Sequence, residues 1–586
     1  MSIFSLQPDL VLLHAPTVYD FRQYPLLFGP IADGVPSTPL FEMYPIGFFS
    51  LLEHLQKHGV GVRIVNLAVR MLSSEEFDAD TMIRSLKPAA FGIDLHWLPH
   101  AQGSLEVAKL CKRYHPDTAV IFGGYSATYF HEELIRYPEV DFIIRGDSTE
   151  EPLLRLMRVL MQGSDKEFTS IPNLVWKDPN GAVQINPFTY VPGDLNGPAN
   201  NYVAAFKSAL KYRDVKSMSP WKGWKSHEWL DYPITPVITC RGCVHNCTFC
   251  GGSRNALALY CNRKQPAFRD PQLIAQDIIK IARFTRAPIF VIGDLLQPGT
   301  DYACTILDEL KRTKLTNHLV FELFTPAPRE FFDRVAASVE HFNFEISPDS
   351  HDARIRAAEG KHYTNEQIEQ NLSWALEAGC NKFDLFFMIG LPQQTCASAM
   401  ETVEWCGHLM ETFGTRVVPF ILPYSPFIDP GCIAYEQADR LGYRILLKTF
   451  EEYRTALLAP SWKYALNYET NWMTRDEIVA CAYRAGLRLN ELKRTCGLIA
   501  DETFKATEER IYRAIELTAT VDELMALDDH SLRQERLRAL KPEFDALFES
   551  VTHEKVQLDW PASKRSLRLL PLLAATIRDS LPTRKS

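Results

Sequence analysis

Between Thr239 and Ser253 the chain reads Thr-Cys-Arg-Gly-Cys-Val-His-Asn-Cys-Thr-Phe-Cys-Gly-Gly-Ser, which spaces Cys243, Cys247 and Cys250 as C-x3-C-x2-C. Three thiolates in so short a loop suit three irons of a [4Fe–4S] cube, because soft sulfur ligands select iron–sulfur clusters. The fourth iron is then open to a chelating small molecule. Counting Cys240 gives C-x2-C-x3-C-x2-C and with it a zinc alternative, but the gap between the pairs is far shorter than the loop of a zinc ribbon. A ferredoxin-like run of four ligands normally ends in Cys-Pro, whereas Gly251 follows Cys250. Cys240 reads as a small residue ending a buried strand.

The rest of the composition is that of a globular protein, 46% hydrophobic and 23% charged; 586 residues correspond to about four domains by length, and the pattern along the chain divides into three. A net charge of −9 gives no reason to expect a nucleic-acid partner. No run of uncharged apolar residues is long enough to span a membrane, and Met1–Leu10 lacks the pattern of a signal peptide. Thirteen cysteines in a chain this long do not make a disulfide scaffold, and an oxygen-sensitive cluster requires a reducing cytoplasm.

Over residues 1–165 short apolar runs alternate with helical stretches. Leu10–His14, Val62–Asn66, Phe91–Leu95, Val120–Phe122 and Phe142–Arg145 read as strands, separated by the helices Ile46–His58, Ser104–Tyr114 and His131–Tyr137. This alternation predicts a parallel, doubly wound, Rossmann-like sheet whose ligand site lies at the strands' carboxyl ends. Gly123-Gly124-Tyr125-Ser126 follows the fourth strand and Gly146-Asp147 the fifth, and paired glycines there let the backbone approach a ligand closely. The long connection Thr17–Met43, rich in proline, glycine and aromatics, has the length of a lid.

Residues 166–232 read as a bridging linker, with weak strands at Asn173–Lys177 and Val183–Asn186 and a tryptophan cluster, Trp221, Trp224 and Trp229. Residues 233–435 resume the alternation in six units: Ile234–Thr239, Ile289–Ile292, Leu319–Phe324, His341–Ile346, Lys382–Ile389 and Val417–Leu422. Asp270-Pro271 is a helix N-cap followed by proline at the first helical position, and Gly379 closes the helix Asn365–Ala378. Six such units suit a partial (β/α)6 barrel with function at the strands' carboxyl ends. Glu322 and Glu345 lie within apolar strands, where a carboxylate needs a partner to justify burial. His351, Arg354 and Arg356 read as a solvated helix face or a substrate anchor. Residues 436–586 read as a helical domain, for example Arg475–Gly486 and Glu502–Leu517. The stretch with Tyr424, Trp462, Tyr464, Asn467, Tyr468 and Trp472 reads as a lid or substrate wall, or as interdomain packing. The basic runs Lys564–Arg568 and Arg584-Lys585 read as solvated surface.

The cysteine loop, with Phe249 before its last cysteine and a strand before its first, resembles the cluster motif of radical SAM enzymes. With the preceding Gly123-Gly124 domain, the chain resembles cobalamin-dependent (B12) radical SAM enzymes of the methyltransferase type. The resemblance covers roughly residues 1–435. It implies a [4Fe–4S] cluster held by Cys243, Cys247 and Cys250, S-adenosylmethionine (SAM) near Phe249, Gly251, Gly293, Asp294, Glu322, Ser347 and Gly390, and cobalamin near Gly123, Gly124, Ser126, Gly146 and Asp147. The family often places Gly-Gly-Glu where this chain has Ile292-Gly293-Asp294. Classical cobalamin domains carry Asp-x-His-x-x-Gly after their first strand, and the loop from His14 to Asp20 lacks it. Asp94-Leu95-His96 imitates its first residues after the third strand, and His96 and His100 read as pocket-wall or hydrogen-bonding residues, with cobalt ligation the lesser reading.

The activity so implied is transfer of a SAM-derived methyl group through methylcobalamin to a carbon of a small-molecule or peptide substrate, with a flavodoxin or ferredoxin as reductant. The alternatives are a non-methylating radical enzyme performing ring contraction, cyclisation or rearrangement, and a cobalamin or iron–sulfur sensor without catalysis. No side chain is singled out as a catalytic acid or base.

Overall fold

The structure, a computed structural model, describes residues 7–27, 29, 46–162, 165–197, 201–214, 217, 235–423, 427–548, 551–554, 557–558 and 560. The tryptophans of residues 221–229, most of the 17–43 connection, Tyr424 and both basic runs near the carboxyl terminus lie outside the described residues.

The first sheet begins with β1 (Leu10–His14), β2 (Val62–Asn66), β3 (Ala90–Asp94), β4 (Ala119–Gly123) and β5 (Phe142–Ile144), all parallel. Strand residues alternate between its faces: Val11 and Leu13 join one core, Leu10 and Leu12 the other. Each buried leucine contributes about 1.5–3 kcal/mol, and both faces are covered, by the helices Ala101–Tyr114 on one side and Ile46–Lys57 and Glu150–Gln162 on the other. Two further strands, β6 (Leu174–Lys177) and β7 (Val183–Ile185), add antiparallel to the β5 edge, so this part of the expected linker completes the first sheet. The order is β2-β1-β3-β4-β5-β6-β7. Chain order reverses at β1/β3, which makes that crevice the topological switch point.

The second sheet comprises β8 (Thr235–Ile238), β9 (Ile289–Ile292), β10 (His318–Leu323), β11 (His341–Asp349), β12 (Lys382–Ile389) and β13 (Val417–Pro423). All pairings are parallel and the strands neighbour one another in chain order, the open barrel expected. Helices in the connections pack on the outer face. Asp270 caps the helix Pro271–Phe284 through the amides of Gln272 and Leu273, with Pro271 where no amide donor is needed.

The inner face is closed near the strands' amino ends by a segment from beyond the helical region. Trp560 packs on Phe290 and Val320, and Leu558 on Val418 and Phe420. Lys382 Nζ donates to the Gln557 carbonyl at 2.6 Å, and Lys493 Nζ to Gln557 Oε1 at 2.7 Å. The helices Arg475–Thr495 and Asp501–Met525 pack outside, longer than periodicity indicates. Trp462 Nε1 donates to Tyr483, Tyr464 to Asp522, and Asn467 joins Ile428 to Tyr453, so these three are packing residues rather than a substrate wall. Phe427, Phe450, Tyr453 and Leu457 enter the core of the first domain.

Candidate functional site

The cysteine loop leaves β8 through a short ribbon in which Cys240–Arg241 pairs with Ala267–Phe268. The Cys243, Cys247 and Cys250 thiols are free and partly exposed. The amide of His245 donates to Cys243 Sγ at 3.4 Å and that of Gly252 to Cys250 Sγ at 3.3 Å, contacts that favour a thiolate. Burial pushes the Cys243 and Cys250 thiols up to about 12, a cost that metal coordination offsets. Among the described residues no three His, Cys, Asp or Glu side chains converge as a single ion would need. A cube, which takes one thiolate on each of three irons, spreads its ligands more widely, and this donor set fits it. Cys240 Sγ turns instead to the Gly242 carbonyl at 3.5 Å.

The loop is pinned from beneath. The Glu359 carboxylate accepts from Thr248 Oγ1 and from Tyr443 at 3.3 Å, while the Glu359 carbonyl accepts the Thr248 amide at 3.2 Å. Lys361, buried, ion-pairs with Asp349 at 2.7 Å, donates to the Ser347 carbonyl and lies 5.4 Å over the Phe249 ring. Neither Lys361 nor Asp349 carries a sequence signal, because their contacts form only when the loop folds onto β11. Ser347 enters this network through its carbonyl, which also accepts from Tyr363 at 3.3 Å. Arg356 is fully buried and donates to the carbonyls of Ser350 and Tyr363, which corrects its reading as a surface or substrate-anchoring residue.

At the barrel's carboxyl end the Gly293 amide donates to the Glu322 carboxylate. Asp294 accepts the amides of Leu296 and Phe324 at 2.8 and 2.9 Å, so its carboxylate serves the loop. Burial pushes Asp294 up to about 6 and Glu322 to about 7. Glu322, Glu345 and Asp384 lie in register on β10, β11 and β12. Burial, then the charges of Glu322 and Asp384, hold Glu345 well above the carboxylate range, and its Oε2 is buried without a protein hydrogen bond. Asp384 has Lys382 at 2.9 Å. Two expected cofactor glycines owe their identity to protein neighbours. A Cβ on Gly251 would stand 2.8 Å from Asp429 Oδ2, and one on Gly390 would stand 2.5 Å from the Tyr468 hydroxyl.

On the first domain, Gly124 has φ +114°, and a Cβ there would strike the His96 backbone at 2.5 Å. The close approach anticipated for a ligand is therefore made by the turn after β3. Gly123 has room, its Cβ position lying 3.7 Å from the Ile144 carbonyl. Ser126 Oγ donates to the His96 carbonyl at 3.4 Å, and the Gly146 amide to Thr128 Oγ1 at 2.9 Å. Around the switch point stand His14, Asp94, His96 and His100, polar groups at the end of an apolar sheet, which fit a large polar ligand. Asp147 departs from its cofactor assignment: Arg263 Nη2 donates to Asp147 Oδ1 at 3.0 Å, and both side chains are buried. Beside it Arg241 donates to Ser148 Oγ at 2.7 Å and to Glu150 Oε2 at 3.1 Å. Burial alone would raise the Glu150 carboxyl, but the charge and hydrogen bonds of Arg241 hold it at about 2. Two arginines flanking the cysteine loop thus clamp the ligand end of the first sheet against the second.

Residues 34–154 match the B12 binding domain family and residues 237–406 the Radical SAM superfamily. The two domains in one chain are those of the cobalamin-dependent radical SAM class, and with them go its cofactors, a [4Fe–4S] cluster, SAM and cobalamin. Cytidylyl-2-hydroxyethylphosphonate methyltransferase of Streptomyces wedmorensis is 23% identical over 249 residues, 37% of this chain and 46% of that protein. Anaerobic magnesium-protoporphyrin IX monomethyl ester cyclase of Synechocystis sp. is 23% identical over 180 residues, 30% of this chain and 31% of that protein. The chain thus spans less than half the length of these relatives. The cobalamin-dependent SAM radical enzyme OxsB, solved with aqua-cobalamin and SAM bound, shares the fold at a TM-score of 0.56 and 13% identity, over 98% of this chain and 80% of that one. No described helix is long and apolar enough to cross a membrane.

Proposed function

We propose that this chain is a radical SAM methyltransferase that carries a SAM-derived methyl group by way of cobalamin to a carbon of a small-molecule or peptide substrate. The observation that carries the reading is the arginine clamp, which fixes the cysteine loop and the ligand end of the first sheet toward each other within one chain. When bound, the cluster and SAM supply the radical and cobalamin the transferable methyl group. Cys243, Cys247 and Cys250 would hold the cluster, with the His245 and Gly252 amides favouring their thiolates. Gly293, Glu322 and Glu345 line the barrel end where SAM would lie. Glu345, held neutral by burial and its carboxylate neighbours, offers a donor to a polar group there. The packed aromatics Tyr125, Tyr129 and Tyr260 between the domains exclude water. The reductant is a small electron carrier such as flavodoxin or ferredoxin, in a reducing cytoplasm.

The kinship with an S. wedmorensis methyltransferase supports methyl transfer, and that with a Synechocystis cyclase favours a second reading, radical ring closure without methylation. The test is anaerobic reconstitution with iron, sulfide and hydroxocobalamin, then incubation with SAM, reductant and pooled candidate acceptors. S-adenosylhomocysteine equal to methylated product supports methyl transfer. Deoxyadenosine with an unmethylated product supports ring closure, and absence of corrin binding removes both readings.

A further inference from the structure

The helix Cys396–Phe413, on the outside of the barrel, and the helix Arg475–Thr495 lie against each other. Arg488 Nε donates to Glu404 Oε1 at 2.7 Å, and a Cβ on Gly407 would stand 3.1 Å from Leu492, so the two helices approach closely there. Nearer their starts, Cys481 Sγ lies 4.0 Å from the Cys396 carbonyl, and its thiol hydrogen-bonds that of Cys396. These contacts join residues 85 and 84 positions apart, as parallel helices in one register require. Both cysteines are free thiols, with unequal access. Cys481 is 1% exposed, while Cys396, the first residue of its helix, is partly exposed. Burial, then the contact with Cys396, holds the Cys481 thiol well above its ordinary range. A buried cysteine by itself is an inert small residue. Facing a second, reachable thiol across a fixed helix pair, it is half of a disulfide site.

We propose that Cys396 and Cys481 are an oxidant-sensitive pair that closes to a disulfide when a hydroperoxide reaches Cys396. The Cys396 sulfur attacks the peroxide, the O–O bond breaks, and a sulfenic acid forms on Cys396 with release of an alcohol. The Cys481 sulfur then attacks that of Cys396. The S–S bond forms, the S–O bond breaks, and the hydroxyl leaves as water with the Cys481 proton. Two thiols lose two electrons in all, and the hydroperoxide gains them. A small thiol reductant reverses the step by exchange. The bond ties the barrel to the helix whose Lys493 holds Gln557, and through it to the segment that closes the barrel floor. The inference stands apart from the methyl-transfer reading.

The test is peptide mapping of the whole reconstituted protein, treated anaerobically with excess tert-butyl hydroperoxide, alkylated with iodoacetamide and digested without reduction. The proposal expects a cross-linked peptide pair joining Cys396 to Cys481, lost on treatment with dithiothreitol. In Cys481→Ala, Cys396 should stop at the sulfenic acid and be trapped by dimedone. Recovery of Cys481 in alkylated form from the oxidised parent overturns the proposal, whatever the state of Cys396. So does pairing of either residue with a different cysteine. The tie between the helices is read by urea denaturation of parent and Cys396→Ser after the same oxidation. The parent's midpoint should be the higher, and equal midpoints overturn the tie.

Discussion

Arg263 and Asp147 meet across the boundary between the two sheets, with Nη2 3.0 Å from Oδ1 and side chains only 3% and 2% exposed. The pair is too buried to be screened by salt, and removing one member leaves an uncompensated charge. Arg263→Ala should cost about 3–5 kcal/mol. The loss should be read by urea denaturation of the reconstituted protein, with limited proteolysis separating the two sheets before either unfolds. A variant whose midpoint matches the parent would show that the clamp holds nothing.

The cysteine loop makes a sharper prediction. Alanine at Cys243, Cys247 or Cys250 should reduce iron from about four per chain to near zero and abolish SAM cleavage. Cys240→Ala should keep both, because its sulfur faces the Gly242 carbonyl. Iron and sulfide assays on anaerobically prepared variants decide this, and loss of the cluster in Cys240→Ala would overturn the ligand assignment.

Gly124→Val should lower corrin occupancy while sparing the cluster. Its branched side chain must push back the His96 backbone, which stands 2.5 Å from the first added carbon. A misfit of about 1.4 kcal/mol already weakens binding roughly tenfold. Corrin and iron measured on one sample separate this local effect from unfolding.

Lys493 gives the fold a pH dependence of stated sign. Burial, with Lys382 nearby, lowers its ammonium to about 7, against about 10.4 in an unfolded chain. From about pH 7 to 10 the unfolded state therefore binds more protons, and stability rises with pH. Lys493→Met removes this term. Its urea midpoint should exceed the parent's most clearly near pH 6, and the difference should shrink as pH rises toward 10. A difference independent of pH would refute the assignment.

Much of the architecture is readable because its causes are local. β1, β2, β9 and β12 are apolar runs between turn residues, and their observed limits are those of the runs. β11 runs on past Ser347-Pro348, where proline's missing amide suggests an end. Pairing resumes after a bulge, with Asp349 opposite Phe387. The cysteine loop is legible because its chemistry lies within eight residues. The arginine clamp is not, since Arg263 meets a carboxylate 116 positions away and no periodicity announces it. The glycines show a third case. Gly124 and Gly390 stand where a close approach is needed, but the approaching group is His96 or Tyr468, and composition does not separate a ligand from a neighbouring turn.

The barrel's inner face also sets a timetable for synthesis. Its last strand ends at Pro423, yet the residue that covers Phe290 and Val320 is Trp560, 137 positions later. At about 5–20 residues per second, ribosomes need roughly 7–27 s to cover that distance. Throughout that interval Phe290, Val320, Val418 and Phe420 stay uncovered on the nascent chain, a surface for chaperones to hold. Iron delivered to the cysteine loop before Trp560 emerges would meet a barrel still open at its foot.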